Sequence, residues 1–470
     1  MKIYLPGTLI PGLLAIVGLV AVGLWLGVGP RQSLHARIPG MDRPPQTVAS
    51  KGVPLKGVLT TGDGRPADLS GSWPQFRGEK LNGIGEPGTA LARQWPNEGP
   101  PLLWSVELGE GYAGPAVQQG RVYLLDYDRG ASADALRCLS LSDGKEIWRF
   151  SYPVDIKRNH GMSRTVPAVT EKYVVALGPK CHVSCLDAAT GKPFWLVDLI
   201  QRYGTTVPPW YAGQCPLVEK DRLILAPGGP DALMVALDCS SGEPIWKTPN
   251  PRGWKMTHAS IVPMELAGRR MYVYCASGGV AGVAADDGSL LWDTTDWKIS
   301  IATVPSPVVL PEGKIFFSGG YNSGALVLQV REQGGRFNAQ TVSRLKPDQF
   351  GSTQHTPILL GDHLYGIREK DKELVCLDLE GKEVWTSGRE HRFGLGPYLI
   401  ADGLIYVMSD DGVLTLAEAI PTGYHQLAEH RVFDGHDAWG PMALAGNRLL
   451  VREFTHLACL DVSEKAPGKP

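Results

Sequence analysis

The fold is decided by the stretch Ala189-Thr190-Gly191-Lys192-Pro193-Phe194-Trp195, in which a turn glycine is followed four residues later by a tryptophan. The pattern indicates a β-hairpin, because one strand ends, Thr-Gly turns the chain, and the next strand places a large ring at a fixed position. The same spacing recurs at Gly144/Trp148, Gly191/Trp195, Gly242/Trp246, Gly288/Trp292 and Gly381/Trp385. Repetition of one hairpin predicts a repeat architecture.

A second mark, a proline beside apolar residues, precedes the first strand of each unit. A proline at the first position of a strand loses no ladder hydrogen bond. The marks define eight units at a period of about 40–52 residues, which is typical of four-stranded blades. The sequence therefore predicts an all-β fold, an eight-bladed β-propeller of four-stranded antiparallel blades over residues 72–470. The marks are Pro115, Pro167, Pro216, Pro263, Pro307, Pro357, Pro397 and Pro441.

The last unit lacks a strand. It runs from Pro441 to Val462 and ends after three strands, whereas the stretch from Leu102 to Leu108 precedes the first unit and carries its own Trp104. We predict that this early stretch supplies the missing strand, closing the ring and leaving no wide unpaired seam. A solenoid is the competing repeat architecture, but no capping unit is visible in the sequence.

The composition suits this fold and argues against binding of nucleic acid. Glycine (57) and proline (37) are plentiful, as expected of short strands joined by turns. The chain has 46 basic and 48 acidic residues, with no Lys/Arg-rich stripe. A protein that follows a phosphate backbone would show a basic excess.

The N-terminus predicts a membrane anchor followed by a linker. Residues 3–29 contain no charged side chain, so residues 1–29 are long enough to form one transmembrane helix. A cleaved signal peptide is the alternative, although its apolar part should be shorter. Lys2 precedes the span and Arg31, Arg37 and Arg43 follow it, which favours a cytoplasmic C-terminal side. Residues 30–71 are proline-rich without an apolar period and are interpreted as a linker.

The repeat resembles a known family. The stretch from Leu186 to Trp195 is similar to the tryptophan-docking motif of quinoprotein dehydrogenases, which also occurs in non-catalytic propeller lipoproteins of the outer-membrane assembly machinery. Trp73-Pro74-Gln75-Phe76-Arg77-Gly78 and Gly109-Glu110-Gly111-Tyr112 resemble PQQ-like propeller proteins common in planctomycete bacteria. The resemblance covers residues 73–461 and implies that the propeller lies in the periplasm. The charges that flank the predicted span favour the opposite orientation. The resemblance also implies tryptophans stacked between blades, here Trp104, Trp148, Trp195, Trp246, Trp292 and Trp385.

The catalytic elements of that family are only partly matched. Its pyrroloquinoline quinone (PQQ) enzymes share a vicinal Cys-Cys disulfide, a stacking tryptophan, calcium-binding acidic and amide residues, and a catalytic aspartate. No two of the eight cysteines are adjacent here. Cys138, Cys185, Cys376 and Cys459 occupy equivalent third-strand positions in different blades, too far apart for disulfides, and are predicted to be buried fillers.

No metal site and no catalytic residue are predicted. The stretch from Cys181 to Cys185 contains His182 but lacks the spacing of common zinc knuckles. No Gly-x-Ser-x-Gly elbow, P-loop or His-Glu-x-x-His occurs. PQQ with calcium remains the alternative cofactor.

Candidate ligand contacts follow from the phase of the repeat. Residues leading into first strands, and those in loops between second and third strands, should meet at one mouth of the central channel. Two interpretations are open: the polar side chains bond one another and plug a narrow channel, or they form a ligand site. The candidates are Arg164, Trp210, Gln214, His258, Tyr321, Asn322, His355, Arg368, Trp439 and Arg452.

Two functions are compatible with these features. The first is a membrane-anchored, non-catalytic binding or scaffold propeller in the periplasm, with a protein or envelope polymer as partner. The second is a PQQ-dependent dehydrogenase with a divergent pocket, which oxidises an alcohol or sugar and requires a carboxylate near a bound quinone. A glycan-cleaving propeller is a third option, but the sequence places no pair of carboxylates at catalytic separation.

Overall fold

The computed structural model describes residues 15–23, 56–86, 88 and 90–464. Helix α1 covers residues 15–23 and belongs to a different compact unit from the strands. Among the described residues, no helix is long and apolar enough to cross a membrane. The rest of the predicted anchor, and residues 30–55 of the predicted linker, lie outside the described residues.

Residues 56–464 form the predicted propeller, with eight antiparallel four-stranded sheets, two of them extended by a fifth strand. The first strands in chain order are β1 (Val58–Thr61), β2 (Ile84–Gly85), β3 (Leu102–Glu107), β4 (Ala116–Gln118), β5 (Arg121–Asp128), β6 (Ala133–Ser140), β7 (Glu146–Pro153), β8 (Ala168–Val169), β9 (Tyr173–Leu177), β10 (His182–Asp187), β11 (Pro193–Asp198), β12 (Leu217–Glu219), β13 (Arg222–Leu225), β14 (Met234–Asp238), β15 (Pro244–Thr248), β16 (Val262–Leu266), β17 (Arg269–Ala276), β18 (Gly279–Ala284) and β19 (Leu290–Thr294).

The remaining strands complete the ring. They are β20 (Val308–Val309), β21 (Lys314–Gly319), β22 (Gly324–Gln333), β23 (Arg336–Leu345), β24 (Ile358–Leu360), β25 (His363–Ile367), β26 (Leu374–Asp378), β27 (Glu383–Thr386), β28 (Tyr398–Ala401), β29 (Leu404–Met408), β30 (Val413–Glu418), β31 (Gln426–Arg431), β32 (Ala443–Ala445), β33 (Arg448–Arg452) and β34 (His456–Asp461). Successive groups of four from β4 form blades 1 to 7, and β32–β34 belong to blade 8. Helix α2 (Leu199–Tyr203) and a 3₁₀ turn (Pro311–Gly313) lie between strands.

Blade 8 is closed as predicted. Strand β3 pairs antiparallel with β34, from Leu102 opposite Leu460 to Glu107 opposite His456. The chain segment before blade 1 thus supplies the outer strand of the last blade. This pairing ties the two ends of the repeat together, so the seam is hydrogen-bonded like the interior of a blade.

Tryptophans dock successive blades on each other, as the family resemblance implied. Trp148 of blade 1 lies over the turn glycine Gly191 of blade 2, where an added Cβ would meet the indole at 2.6 Å. Its Nε1 donates to the carbonyl oxygen of Ala188 in the same turn, at 3.3 Å. Trp104, Trp195, Trp246 and Trp385 repeat this contact with Leu141, Cys239, Ala285 and Ile420.

Three seams depart from this pattern. Blade 7 has no tryptophan on its outer strand β31, and its His430 instead lies over Gly99, just before β3 of blade 8, where an added Cβ would meet the imidazole. The Nε1 of Trp292 faces Met271 Sδ of its own blade at 3.3 Å. Blade 5 has no tryptophan on its outer strand, and Leu345 packs over the turn glycine Gly381 instead. An aliphatic side chain can fill the space above the glycine but cannot donate the hydrogen bond.

The segment before the repeat is part of the propeller. Within residues 30–71, interpreted as a linker, β1 pairs antiparallel with β7 and adds a fifth strand to the outer edge of blade 1. Residues 73–85, here called the plug, then meet inner strands around the ring. Trp73 exchanges main-chain hydrogen bonds with Val117, Val169 donates to Pro74, and β2 pairs in parallel with β28.

Candidate functional site

A cavity of about 340 Å³ lies on the axis of the propeller. Its position follows from its lining, because each of the eight blades contributes a residue from the segment that leads into its innermost strand. These segments meet at one end of the central channel. The lining residues are Phe76, Tyr112, His160, Arg164, Trp210, Gly213, Cys215, His258, Ser260, Val304, Tyr321, Thr353, Gln354, His355, Leu395, Trp439 and Pro441.

The plug contributes to the base of this cavity. Phe76 is the one lining residue from the plug. The next residue, Arg77, donates to the carbonyl oxygens of Leu81, Asn82, Thr356 and Pro357, at 2.7 to 3.1 Å. These bonds join the plug to the segment that leads into blade 6. Burial lowers the pKa of Arg77 to about 10, so the guanidinium remains charged at neutral pH.

One wall of the cavity is aromatic. The rings of Trp210 and Tyr321 are parallel to within 6°, with centroids 6.5 Å apart. Both residues have positive φ, 58° and 59°. A bulky residue in this region is strained, and such strain concentrates at functional sites. The Glu369 carboxylate accepts from the backbone N–H of Tyr321 at 2.6 Å and of Asn322 at 3.3 Å, which holds the strained turn in place.

The opposite wall is also aromatic and is fixed by two carboxylates outside the lining. Tyr112 and Trp439 have ring centroids 5.1 Å apart. The Trp439 Nε1 donates to Asp410 at 2.6 Å, and the Tyr112 hydroxyl donates to Asp437 at 3.2 Å. Each carboxylate therefore orients a ring instead of facing the cavity. The pKa of Tyr112 is raised above its ordinary value, mainly because the hydroxyl is buried.

Arg164 brings positive charge to the cavity. Its Nε donates to the carbonyl oxygen of Trp210, and Nη2 donates to that of Gly161 at 2.9 Å. Its guanidinium also lies 5.1 Å from the centroid of the Tyr112 ring. Arg164 thus joins the two aromatic walls, and its planar group is held by bonds that a lysine could not reproduce.

Two neutral imidazoles complete the lining. Burial, assisted by the charge of Arg164, lowers the pKa of His258 to about 4. Burial and the charge of Arg77 do the same to His355, whose pKa is also about 4. Nδ1 of His258 and Nε2 of His355 have no hydrogen-bond partner among the described residues. At neutral pH these side chains are uncharged and polar, in an otherwise largely aromatic surface.

Six of the ten candidate contacts line the cavity: Arg164, Trp210, His258, Tyr321, His355 and Trp439. The other four do not. Gln214 is buried and bonds the backbone of Ala226, and the exposed Asn322 lies beside the Tyr321 turn. Arg368 is buried in ion pairs with Asp371, Glu373 and Glu383. Arg452 is buried and donates to the carbonyl oxygens of Gly109, Ala113 and Leu125.

Sequence reasoning missed Phe76, His160 and Gln354 in the lining. Phe76 lies before the repeat, so the phase of the repeat says nothing about it. The motif from Trp73 to Gly78 was a signal, but it entered the sequence analysis only as part of the family resemblance. Tyr112 belonged to a motif recognised by resemblance and was not assigned to the channel.

The lining does not fit a calcium-bound quinone. Calcium prefers oxygen ligands, carboxylates above all. The described lining contains no Asp or Glu, and the described residues hold no cluster of three or more His, Cys, Asp or Glu suited to a metal. All eight cysteines are buried free thiols, as predicted for Cys138, Cys185, Cys376 and Cys459, and Cys215 alone lines the cavity.

Comparison with known proteins identifies the class. A family model described as outer membrane protein assembly factor BamB matches residues 132–387. The chain belongs to this family of PQQ-like β-propellers.

Among solved structures, BamB from Moraxella catarrhalis is 15% identical with a TM-score of 0.51, and the match covers 77% of this chain and 99% of that chain. A quinohemoprotein alcohol dehydrogenase from Comamonas testosteroni is 12% identical with a TM-score of 0.47, over 85% of this chain and 82% of the other. The likeness to BamB shows a shared fold. No curated protein matches the sequence significantly.

Proposed function

We propose that this protein is a non-catalytic binding module of the cell envelope, which holds a partner protein at the mouth of its channel. One observation carries the proposal: all eight blades contribute to a single axial cavity whose described lining is aromatic, cationic and neutral-polar, without a carboxylate. A concave, largely apolar site with a few polar groups is the usual form of a binding site. An envelope polymer is the alternative partner.

The dehydrogenase alternative has weaker support from these residues. Oxidation of an alcohol by a quinone needs a base for the hydroxyl proton, and the calcium that accompanies the quinone needs oxygen ligands. Asp410 and Asp437, the nearest carboxylates to the Tyr112 and Trp439 wall, accept hydrogen bonds from those two side chains. The two imidazoles have pKa values near 4, which makes them weak bases at neutral pH.

The family description agrees with a binding role. The matching model is described as an outer membrane protein assembly factor, a description that refers to other proteins and to no reaction. We propose in addition that residues 1–29 anchor the protein in a membrane and that the propeller faces the periplasm. The uncharged stretch 3–29 supports the anchor, and the family resemblance supports the compartment.

Photocrosslinking from the lining tests this role. A benzoylphenylalanine at Gln354, which lines the cavity, should give a discrete crosslinked product when the full chain is expressed in its native membrane. The matched control is Lys192, an exposed residue in the β10–β11 turn at the opposite face. A product from Gln354 alone supports the proposal. Equal products from both positions, or none from Gln354, would contradict it.

Titration with pyrroloquinoline quinone and calcium separates the two functions. The full chain in detergent should show no stoichiometric change in quinone absorbance at tens of micromolar. It should also reduce no dye when supplied with primary alcohols or sugars. Stoichiometric binding with dye reduction would overturn the non-catalytic proposal.

A further inference from the structure

The channel mouth is basic on one side. The turn that carries Trp210 and Tyr211 is contacted by three basic residues from neighbouring loops. The Lys180 ammonium lies 5.4 Å from the centroid of the Tyr211 ring, and the Tyr211 hydroxyl donates to the Lys157 carbonyl oxygen at 2.6 Å. Arg164 donates to the Trp210 carbonyl oxygen. All of these residues lie in segments at the same end of the channel.

A fourth basic residue, Lys255, extends this side. It is exposed and lies in the segment that leads into blade 4, three positions before the cavity residue His258. Lys157 is exposed as well, and Lys180 is partly exposed. Lys157, Lys180 and Lys255 are here called the basic rim. Lys157 lies between blades 1 and 2, Lys180 in the β9–β10 loop of blade 2, and Lys255 between blades 3 and 4, so they lie on one side of the mouth.

The lysines of the basic rim form no ion pair with the described residues. Among the described residues, the lysines that form ion pairs are Lys80, Lys145 and Lys314. No lysine of the rim is within ion-pair distance of a described carboxylate. Unpaired cations on one side of a binding site raise the association rate of an acidic partner and select against a basic one.

Several carboxylates near the mouth are engaged elsewhere, whereas Asp155 and Asp231 are exposed on the side of the basic rim and form no ion pair with the described residues. Glu110 pairs with Arg158 and Arg129, and Glu369 accepts from the Tyr321 turn. Asp410 accepts from Trp439, as described above. Asp155 is two residues before Lys157, and these two exposed carboxylates offset part of the rim charge. The balance at this side of the mouth remains positive.

We propose that the partner binds as an acidic peptide segment with an aromatic side chain, whose ring enters the cavity while its flanking carboxylates meet the basic rim. This inference rests on the binding role proposed above and names the chemistry of the partner. The parallel rings of Trp210 and Tyr321 impose one orientation on a flat group that stacks against either. A volume of about 340 Å³ is sufficient for one large aromatic side chain.

The separation of the two features favours a peptide over a small molecule. None of the three rim lysines lines the cavity, so the charge of the basic rim lies outside the space that receives the ring. A ligand that meets both features must extend from the cavity across the mouth. An extended polypeptide does this naturally, since successive side chains of an extended chain are about 3.3 Å apart along the backbone.

Labelled peptides test the inference with the full chain in detergent. The probe is dye-labelled Asp-Asp-Trp-Asp-Asp, followed by fluorescence anisotropy, with Asn-Asn-Trp-Asn-Asn and Asp-Asp-Ala-Asp-Asp as matched analogues. We expect each analogue to bind at least about tenfold more weakly, because the first loses several exposed ion pairs and the second loses the buried ring. Added salt should lower the affinity of the acidic probe and leave the affinity of the Asn analogue unchanged.

Variants locate the contacts. The double variant Lys180→Gln and Lys255→Gln should bind the acidic probe about fivefold to tenfold more weakly. Its affinity for the Asn analogue should not change. Lys192→Gln, on the opposite face, is the control and should change neither. Trp210→Ala should weaken both tryptophan probes. Thermal unfolding of each variant confirms that the fold is intact before affinities are compared.

The outcomes separate this inference from the proposed function. Equal binding of the Asp and Asn probes, with both weakened by Trp210→Ala, would overturn the acidic partner and leave the cavity as a binding site. Failure of every peptide, while Gln354 still crosslinks a partner in the membrane, would overturn the inference alone. Failure of the peptides together with absence of the Gln354 crosslink would overturn both.

Discussion

The indole Nε1 of Trp104 donates a 3.0 Å hydrogen bond to the carbonyl oxygen of Leu141. Trp104 lies on β3, which completes blade 8, and Leu141 follows β6 in blade 1. The same ring covers the turn glycine Gly144, where an added Cβ would meet it at 2.7 Å. One side chain thus joins the last blade to the first by the contact that other blades make in the middle of the ring.

Replacement of Trp104 should destabilise the propeller more than replacement of its neighbour Leu103. Trp104 is buried, and truncation of a buried tryptophan costs about 3–5 kcal/mol in free energy of unfolding. Trp104→Ala should lower the urea midpoint accordingly. Leu103→Ala is the control, because Leu103 is 39% exposed on the same strand and should cost about 0.5 kcal/mol. Similar midpoints for the two variants would mean that closure does not depend on this contact.

The architecture was predictable because the same sequence signals recur in most of its blades. Five Gly-to-Trp spacings and eight proline marks fixed the period and the number of blades. The last unit lacked one strand, and the stretch around Trp104 belonged to no unit, so this stretch was predicted to complete the last blade. Repetition reduces error, since a single hairpin signal is weak but the same signal at a constant period specifies a ring.

The site was predictable only as far as it follows the repeat. The segments that lead into innermost strands gave Arg164, His258 and His355 correctly as neighbours, because their position depends on phase alone. Gln214, in the same class of segment, points away and bonds Ala226. The direction of a loop side chain depends on local dihedral angles, which the period does not specify.

The plug could not be derived from the repeat. The plug occurs once in the sequence, and two carbonyl acceptors of Arg77, Thr356 and Pro357 in the segment that leads into blade 6, are 279 and 280 residues away. Sequence patterns detect local periodicity, and a single segment that inserts into the channel has none. The motif from Trp73 to Gly78 marked it only through resemblance.

Removal of Arg77 should destabilise the plug. Arg77→Ala leaves four carbonyl oxygens without their donor, in a region where its guanidinium is buried. Hydrogen bonds to a charged group contribute about 1.5–3 kcal/mol each, so a net loss of at least about 3 kcal/mol is expected even if water enters. Urea unfolding measures this loss.

The matched control for Arg77 is Arg93→Ala. Arg93 is also outside the repeat, but its ion pair with Asp402, at 3.3 Å, is half exposed. Such a pair contributes about 0–1 kcal/mol. If the two arginine variants unfold at the same urea concentration, the plug does not stabilise the propeller.

Asp134 should make stability depend on pH. Its carboxyl is fully buried in blade 1 and accepts a 2.5 Å hydrogen bond from Tyr152. Burial raises the pKa of Asp134 to about 7. The folded chain therefore keeps a proton that the unfolded chain has released, and this stabilisation is complete below about pH 3.9 and lost as pH rises to about 7.

Asp134→Asn isolates this effect. The amide cannot ionise, so the variant should lack the loss of stability that the parent shows between about pH 4 and pH 7. The measurement is the urea midpoint at several pH values, taken as the difference between parent and variant so that other titrating groups cancel. A difference that is constant with pH would mean that Asp134 is ionised throughout.

The final prediction concerns His258 and His355, the two buried histidines of the cavity. With their pKa values near 4, His258 and His355 should be neutral from pH 6 to pH 8. Ring ¹³C NMR of histidine-labelled protein, assigned with His258→Gln and His355→Gln, should therefore show both midpoints well below the ordinary value of about 6.5. The affinity of a partner at the mouth should not change across the same range.

Arg164→Gln tests the cause of one shift against the other. Arg164 assists burial in lowering the pKa of His258, whereas Arg77 does so for His355. Loss of the Arg164 charge should raise the midpoint of His258 and leave that of His355 nearly unchanged, since burial remains in both. Because burial is the larger cause, the His258 midpoint should still stay below 6.5. If both midpoints move equally, the variant has opened the cavity to water, and the charge of Arg164 is not what distinguishes the two imidazoles.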